Sequence, residues 1–283
     1  MAATRMDGKA VSEAVRGKLT LRAQALKDAG IEPHLAVVLV GEDAASQIYV
    51  RNKERGCEKL GIRSTVIRLG VNCEQAELEG TVRMLNEDAC VHGILVQLPL
   101  PRHLKEEPVL ALIDPRKDVD GFHAVNAGNL LIGAPGFVAC TPSGVMEMLR
   151  YYDIPIQGRH AVVVGRSNIV GKPMALLLLR EHATVTVCHS RTQDIASFTR
   201  SADILVAAVG KPGFITGDMI KPGATVVDVG INRVDGKVVG DVNAQSAAEV
   251  AGYLTPVPGG VGQMTITMLL KNTLDAAELQ LRQ

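Results

Sequence analysis

Tyr49 and Lys53 stand four residues apart in SQIYVRNKERG. On a helix this spacing puts both on one face, where a ring can stack on a planar substrate and an amine can move a proton. The other reading is an ordinary i,i+4 pair on a solvated helix. Gln97 follows the apolar run GILV and precedes LPLP. A polar side chain at the C-terminal end of such a strand sits where α/β sheets bind ligands. Asp114, Asp118 and Asp120 fall close together in DPRKDVDGF. Carboxylates so spaced either ligate a metal or shape a loop. There is no HExxH or CxxC to accompany them, so a metal is not expected, and one of the three at most is read as a ligand-binding carboxylate.

A second group surrounds VVVGRSNIVGKP, which follows a strand pattern and opens a helix pattern. Glycine is needed where a backbone bends tightly and approaches a phosphate. Gly165, Arg166 and Ser167 begin this turn, with Ser167 standing where a strict GxGxxG has its second glycine. An ordinary βα turn is the alternative. In NAD-binding units an acid about 20 residues further on holds the ribose hydroxyl. Here the next strand, ATVTVCHSRT, ends in Ser190 and Arg191 instead. With Arg166 they provide donors and positive charge for a 2′-phosphate, which favours NADP over NAD. The alternative for Arg191 is a solvated surface arginine.

These residues need elements to hold them. Val11–Ala29 reads as a helix closed by Gly30, and Leu35–Val40 as a buried strand. Ala44–Leu60 reads as a helix with Asp43 as N-cap and Gly61 as its stop. Arg63–Leu69 reads as a strand, Gln75–Asn86 as a helix and Gly93–Gln97 as a strand. Residues from Asp114 to Ala139 read as loop. Thr141–Pro142–Ser143 opens a helix through Tyr152, with proline in its first turn. Strands at His160–Val164, Val185–Cys188, Ile204–Val209 and Val226–Val229, with a helix over Met174–Glu181, give the βαβ rhythm of a dinucleotide-binding unit. A last helix follows TPVPGGVG, over about Thr265–Leu281. The fold class is therefore α/β with largely parallel sheets.

Composition narrows the function further. The 283 residues suffice for two domains, and 47% of them are apolar, which excludes a disordered chain. Thirty basic side chains balance thirty acidic ones, and there is no tryptophan, so neither nucleic acid nor an anionic membrane is an expected partner. No apolar run approaches the roughly 18 residues of a membrane span, and MAATRMDGKAVSEAV has no apolar core of a signal peptide. Five scattered cysteines suit a reduced cytoplasmic compartment better than a disulfide framework.

Taken together, VGEDAASQIYVRNKERGCEKLGI, GILVQLPLP, DPRKDVDGFHAVNAGNL, CTPSGVMEML, VVVGRSNIVGKPMA, VVDVGINR and TPVPGGVGQMT span nearly the whole chain. In this order they resemble the bifunctional methylenetetrahydrofolate dehydrogenase/methenyltetrahydrofolate cyclohydrolase family, the FolD proteins. The resemblance implies two α/β domains flanking a cleft and joined by two long helices, at about Thr141–Tyr152 and Thr265–Leu281. Residues 1–140 would be the folate domain, with the helix of residues 264–283 packing back on it, and residues 141–263 the Rossmann-like NADP domain. It implies Lys53 as the catalytic lysine, Gln97 as its partner, Tyr49 beside the aminobenzoyl ring and Asp120 on the pterin. Val96 and Leu98 would join them at the substrate, and Pro258, Gly259 and Gly260 would close the folate side. Gly165, Arg166, Ser167, Ser190, Arg191 and Ile231 would bind NADP. The implied substrates are tetrahydrofolate derivatives and the implied assembly a homodimer. Gln263 departs from the family's usual PGGVGPMT, which bears on the shape of that loop.

Overall fold

The computed structural model describes residues 3–281. Along the first half run β1 (Thr4–Arg5), α1 (Gly8–Asp28), β2 (His34–Val40), α2 (Ala44–Leu60), β3 (Arg63–Leu69), α3 (Gln75–Glu87), β4 (Gly93–Val96), α4 (Glu106–Leu112) and α5 (Ala124–Ile132). Then follow α6 (Cys140–Tyr151), β5 (His160–Val164), α7 (Gly171–Arg180), β6 (Thr184–Cys188), α8 (Ile195–Thr199), β7 (Ile204–Ala207), β8 (Thr225–Asp228), β9 (Asn232–Val234), β10 (Lys237–Val239), α9 (Ala244–Ala248), β11 (Tyr253–Leu254) and α10 (Val261–Leu281). The chain divides into two compact units. One takes Ala14–Cys140 with the C-terminal stretch from Ile266; the other takes Thr141–Thr265 with the N-terminal stretch through Glu13.

The unit of Ala14–Cys140 is built on a parallel three-stranded sheet of order β3-β2-β4. All seven residues of β2 are buried, as a strand covered on both faces must be. Its alternation sorts them: Leu35, Val37 and Leu39 join a core with α1, α2 and α10, while Ala36, Val38 and Val40 join one with α3 and α4. The strand's β-branched residues fit that double packing. The helix that follows is fixed at both ends. Asp43 accepts from the Ser46 N–H at 2.7 Å, and Gly61 stops it at φ 67°.

The other unit holds a six-stranded parallel sheet of order β1-β11-β8-β7-β5-β6. From β5 the chain steps to β6 on one side, then returns to β7 on the other. That reversal opens a crevice beyond the carboxyl ends of β5 and β7, the place where such sheets bind ligands.

Several boundaries differ from expectation. The N-terminal stretch does not group with the first half, because Thr4–Arg5 pairs with β11 at the edge of the six-stranded sheet. The segment from Asp114 to Ala139 is not all loop. It contains α5, whose start is capped by the His123 ring accepting from the Val125 N–H and whose end is the left-handed Gly133. The final helix begins at Val261 rather than near Thr265. A short antiparallel hairpin, β9-β10, turns at Asp235–Gly236, both with positive φ.

Candidate active site

In the unit of Ala14–Cys140, Lys53 of α2 meets Gln97, the residue after β4. Helix α2 buries Val50, Cys57 and Leu60 in the core and turns Lys53 inward, leaving it 9% exposed. Tyr49, one turn earlier, is exposed. The Lys53 Nζ donates to Gln97 Oε1 at 2.9 Å, and the Gln97 amide is itself oriented by donating to the Leu98 carbonyl at 2.6 Å. Leu98 is partly buried, whereas the Val96 side chain packs inside the core. Val96 therefore offers a ligand only its backbone.

The three aspartates separate by role. Asp114 is spent on Arg116, accepting from its backbone N–H at 2.8 Å and from its guanidinium at 2.6 Å. Asp118, buried, folds the following turn by accepting from Phe122 and His123 N–H and from the Asn126 amide. Asp120 remains, facing Lys53 and Cys140. Burial pushes its carboxyl up to about 6, the Asp118 charge adds to the rise, and Lys53 opposes it. Burial likewise holds Lys53 below the ordinary lysine range, with Asp120 pulling the other way. Both shifts favour the neutral forms, as desolvation predicts for charges removed from water. Lys53 thus has the charge of Asp120 near it in addition to its hydrogen bond to Gln97.

Two residues at this site carried no local signal in the sequence. The buried Asn272 amide on α10 donates to Val119 O at 2.8 Å and to Val138 O at 3.1 Å. It thereby ties the peptide before Asp120 to the irregular segment before Cys140. The Cys140 thiol donates to Val119 O at 3.4 Å. Gly121 permits this packing: its φ is 75°, and a Cβ there would collide with the Val138 and Ala139 backbone.

In the other unit, Gly165 follows β5 with φ 135°, and a Cβ on it would strike the Ala208 carbonyl. A Cβ on Gly171 would in turn strike the Gly165 carbonyl. The turn is thus a bare backbone cradle, of the kind a dinucleotide phosphate requires. The Ser167 hydroxyl accepts from the Val170 and Gly171 N–H groups, leaving its own hydrogen to donate.

The tetrahydrofolate dehydrogenase/cyclohydrolase catalytic-domain model matches residues 6–120, and the NAD(P)-binding-domain model of that family matches residues 139–281. The chain belongs to the tetrahydrofolate dehydrogenase/cyclohydrolase family. It is 58% identical over 277 residues to the bifunctional protein FolD of Campylobacter concisus, covering 98% of each chain. The solved bifunctional FolD enzyme of Campylobacter jejuni superposes with TM-score 0.96 at 50% identity, covering 98% of this chain and 99% of that one. The FolD of Trypanosoma brucei, solved with NADP and an inhibitor, superposes with TM-score 0.95 at 42% identity over the full length of both. As a member of this family the chain is a methylenetetrahydrofolate dehydrogenase and methenyltetrahydrofolate cyclohydrolase.

The remaining family positions fall in the unit of the six-stranded sheet. Arg166 is exposed on the β5 turn. Ser190 and Arg191 lie in a tight turn after β6, where the His189 ring accepts from the Arg191 N–H and the Thr192 hydroxyl accepts from the His189 N–H. Among the described residues no ion pair engages either arginine. Ile231 follows β8 and is 53% exposed. Pro258–Gly260 precede α10, with Gly259 at φ 109° and its carbonyl accepting from the Gly8 N–H. Gln263 lies in the first turn of α10, and its N–H donates to Gly260 O at 3.1 Å, a bond the family's usual proline cannot make.

Proposed function

We propose that this enzyme works with NADP, and that Lys53, Gln97 and Asp120 serve the folate while Lys53 moves the proton in hydrolysis. The observation that carries the reading is the buried Lys53–Gln97 hydrogen bond beside Asp120. In the cyclohydrolase step water adds to the methenyl carbon and the bond from that carbon to N5 breaks, giving 10-formyltetrahydrofolate and releasing one net proton. A neutral Lys53 amine takes a proton from the attacking water and returns one to the departing nitrogen. An ordinary lysine is protonated at neutral pH and cannot accept it. Burial enlarges the neutral fraction, Gln97 fixes the amine by accepting from it, and the cationic substrate disfavours the ammonium further. Asp120 suits the pterin, since a carboxylate accepts from an aminopyrimidine in paired geometry. Tyr49, exposed one turn from Lys53, provides a face for the aminobenzoyl ring, and Pro258, Gly259 and Gly260 are assigned to the folate as well.

Bound NADP supplies the hydride acceptor for the oxidation. The oxidation asks for no protein base, because the substrate's nitrogen lone pairs support the cation that forms. The cradle at Gly165 suits the phosphates, with Ser167 as a donor. Arg166, Ser190 and Arg191 suit the 2′-phosphate, and Ile231 offers apolar contact. Comparing NADP+ with NAD+ on methylenetetrahydrofolate tests this. NADP+ should be strongly preferred, and Arg191→Ala should narrow the preference through a higher KM for NADP+. Equal efficiency with both in the unaltered enzyme refutes the assignment.

A homodimer is supported by β6, which has a partner on one side only and exposes Val187, and by Leu179 on the neighbouring α7, which is 57% exposed. Sedimentation should give twice the chain mass; a monomer at micromolar concentration argues against it. Five free cysteines and the lack, among the described residues, of any helix long and apolar enough to cross a membrane fit the cytoplasm, which fractionation checks. Neither nucleic acid nor membrane is assigned as a partner.

A further inference from the structure

The loop that follows β7 forms the wall of the crevice opposite the Gly165 turn. Gly165 packs so closely on Ala208 that the position of this loop sets the width of the cradle. No helix follows β7 directly, so the first N–H groups after the strand have no helical partners. Ala208 N–H donates to Val164 O at 2.8 Å, and one side chain claims the next three. Asp241 is fully buried, and its Oδ2 accepts from Val209 N–H at 2.6 Å and Gly210 N–H at 2.9 Å. Its Oδ1 accepts from Lys211 N–H at 2.9 Å and from the Asn232 amide at 2.9 Å. An ionised carboxylate has about four acceptor sites, and here four donors fill them. Three successive N–H groups converging on one anion make a nest, and Asn232 is the residue after Ile231.

Asp241 is itself held by a second buried carboxylate. Asp228, at the end of β8, accepts from the Asp241 N–H at 2.9 Å, the Val242 N–H at 2.9 Å and the Gly230 N–H at 2.9 Å. The two glycines between them are obligatory. A Cβ on Gly240 would overlap the Asp228 carboxylate, and one on Gly230 would overlap that of Asp241. Two buried acids side by side are expensive unless their hydrogen bonds are complete. Ordinary packing of this corner would not need them.

We propose that Asp241 is a positioning residue for the cofactor, fixing the Val209–Lys211 loop and the Ile231–Asn232 segment around the nucleotide. The proposal rests on the assignment of NADP to the crevice beside Gly165. Asparagine at 241 keeps the size of the side chain but turns an NH2 toward N–H groups, so the loop should shift without a cavity forming.

The test is Asp241→Asn in the full-length protein. NADP+ binding is measured by titration calorimetry without folate, and cyclohydrolase activity on methenyltetrahydrofolate without nucleotide. The expected result is an NADP+ Kd raised about tenfold or more, with the cyclohydrolase rate within about twofold of the unaltered enzyme. An unchanged Kd overturns the proposal. So does a parallel loss of cyclohydrolase, which would mark Asp241 as a fold residue only. If the variant does not fold, Asn232→Ala decides. It removes one of the four donors, and an NADP+ Kd raised severalfold supports the proposal while an unchanged one overturns it. If the unaltered protein itself bound no NADP+, the cofactor assignment would fall instead.

Discussion

In the proposed assignment, Asp120 is the residue whose ionisation bears most directly on folate recognition. Its carboxyl is held up at about 6, well above the ordinary aspartate value, chiefly by burial. The ionised form that accepts from an aminopyrimidine is therefore nearly complete above pH 7 and is lost as pH falls through 6. Affinity for a folate analogue whose pterin does not titrate in this range should drop about tenfold between pH 7 and pH 5. Asp120→Asn should bind more weakly at pH 7 and show no such slope. A flat profile in the unaltered enzyme would mean that Asp120 does not touch the pterin. The importance of this residue was only half legible in the sequence. Three acids in nine residues could be seen, and the prospect of one ligand among them. That Asp114 caps Arg116 and Asp118 folds the turn to His123 depends on loop geometry. Asn272 and Cys140 could not be found, because their bonds to Val119 span 153 and 21 residues of sequence and follow no period.

At the scale of elements, α2 matters because it carries both Tyr49 and Lys53. Its N-terminus depends on Asp43, whose side chain accepts the Ser46 N–H. Asp43→Ala should cost about 1 kcal/mol in denaturant unfolding, the usual worth of such a cap. A loss near zero would show that the tertiary packing of Val50 and Leu60 alone holds the helix. This helix was readable from sequence because cap, period and glycine stop agree, and β2 because its apolar run is strand-length. The elements that escaped lack such agreement. β1 and β11 are two residues each, and their pairing joins Thr4 to Tyr253 across the length of the chain. α5 hides in a polar segment and starts on a histidine cap. The Asp235–Gly236 hairpin did carry a signal, an Asp-Gly pair with Val234 before it and Val238–Val239 shortly after.

On the scale of the whole molecule, the chain divides its tasks between two units. Lys53, Gln97 and Asp120 all belong to the unit of Ala14–Cys140. The Gly165 cradle and the Asp228–Asp241 pair belong to the unit containing Thr141–Thr265. The residues proposed for proton transfer and those proposed for nucleotide binding are therefore separate sets, and a substitution in one should spare part of the other's work. Lys53→Met is the most direct trial. Methionine keeps much of the length of the side chain but removes the amine, and hydride loss from the substrate asks for no base. The measurement follows NADPH formation and methenyltetrahydrofolate absorbance together, starting from methylenetetrahydrofolate and NADP+. The variant should retain measurable NADPH formation while methenyltetrahydrofolate accumulates, its hydrolysis lowered by about 100-fold or more, the usual worth of a general acid–base group. Hydrolysis of methenyltetrahydrofolate by Lys53→Met at the unaltered rate would contradict the account.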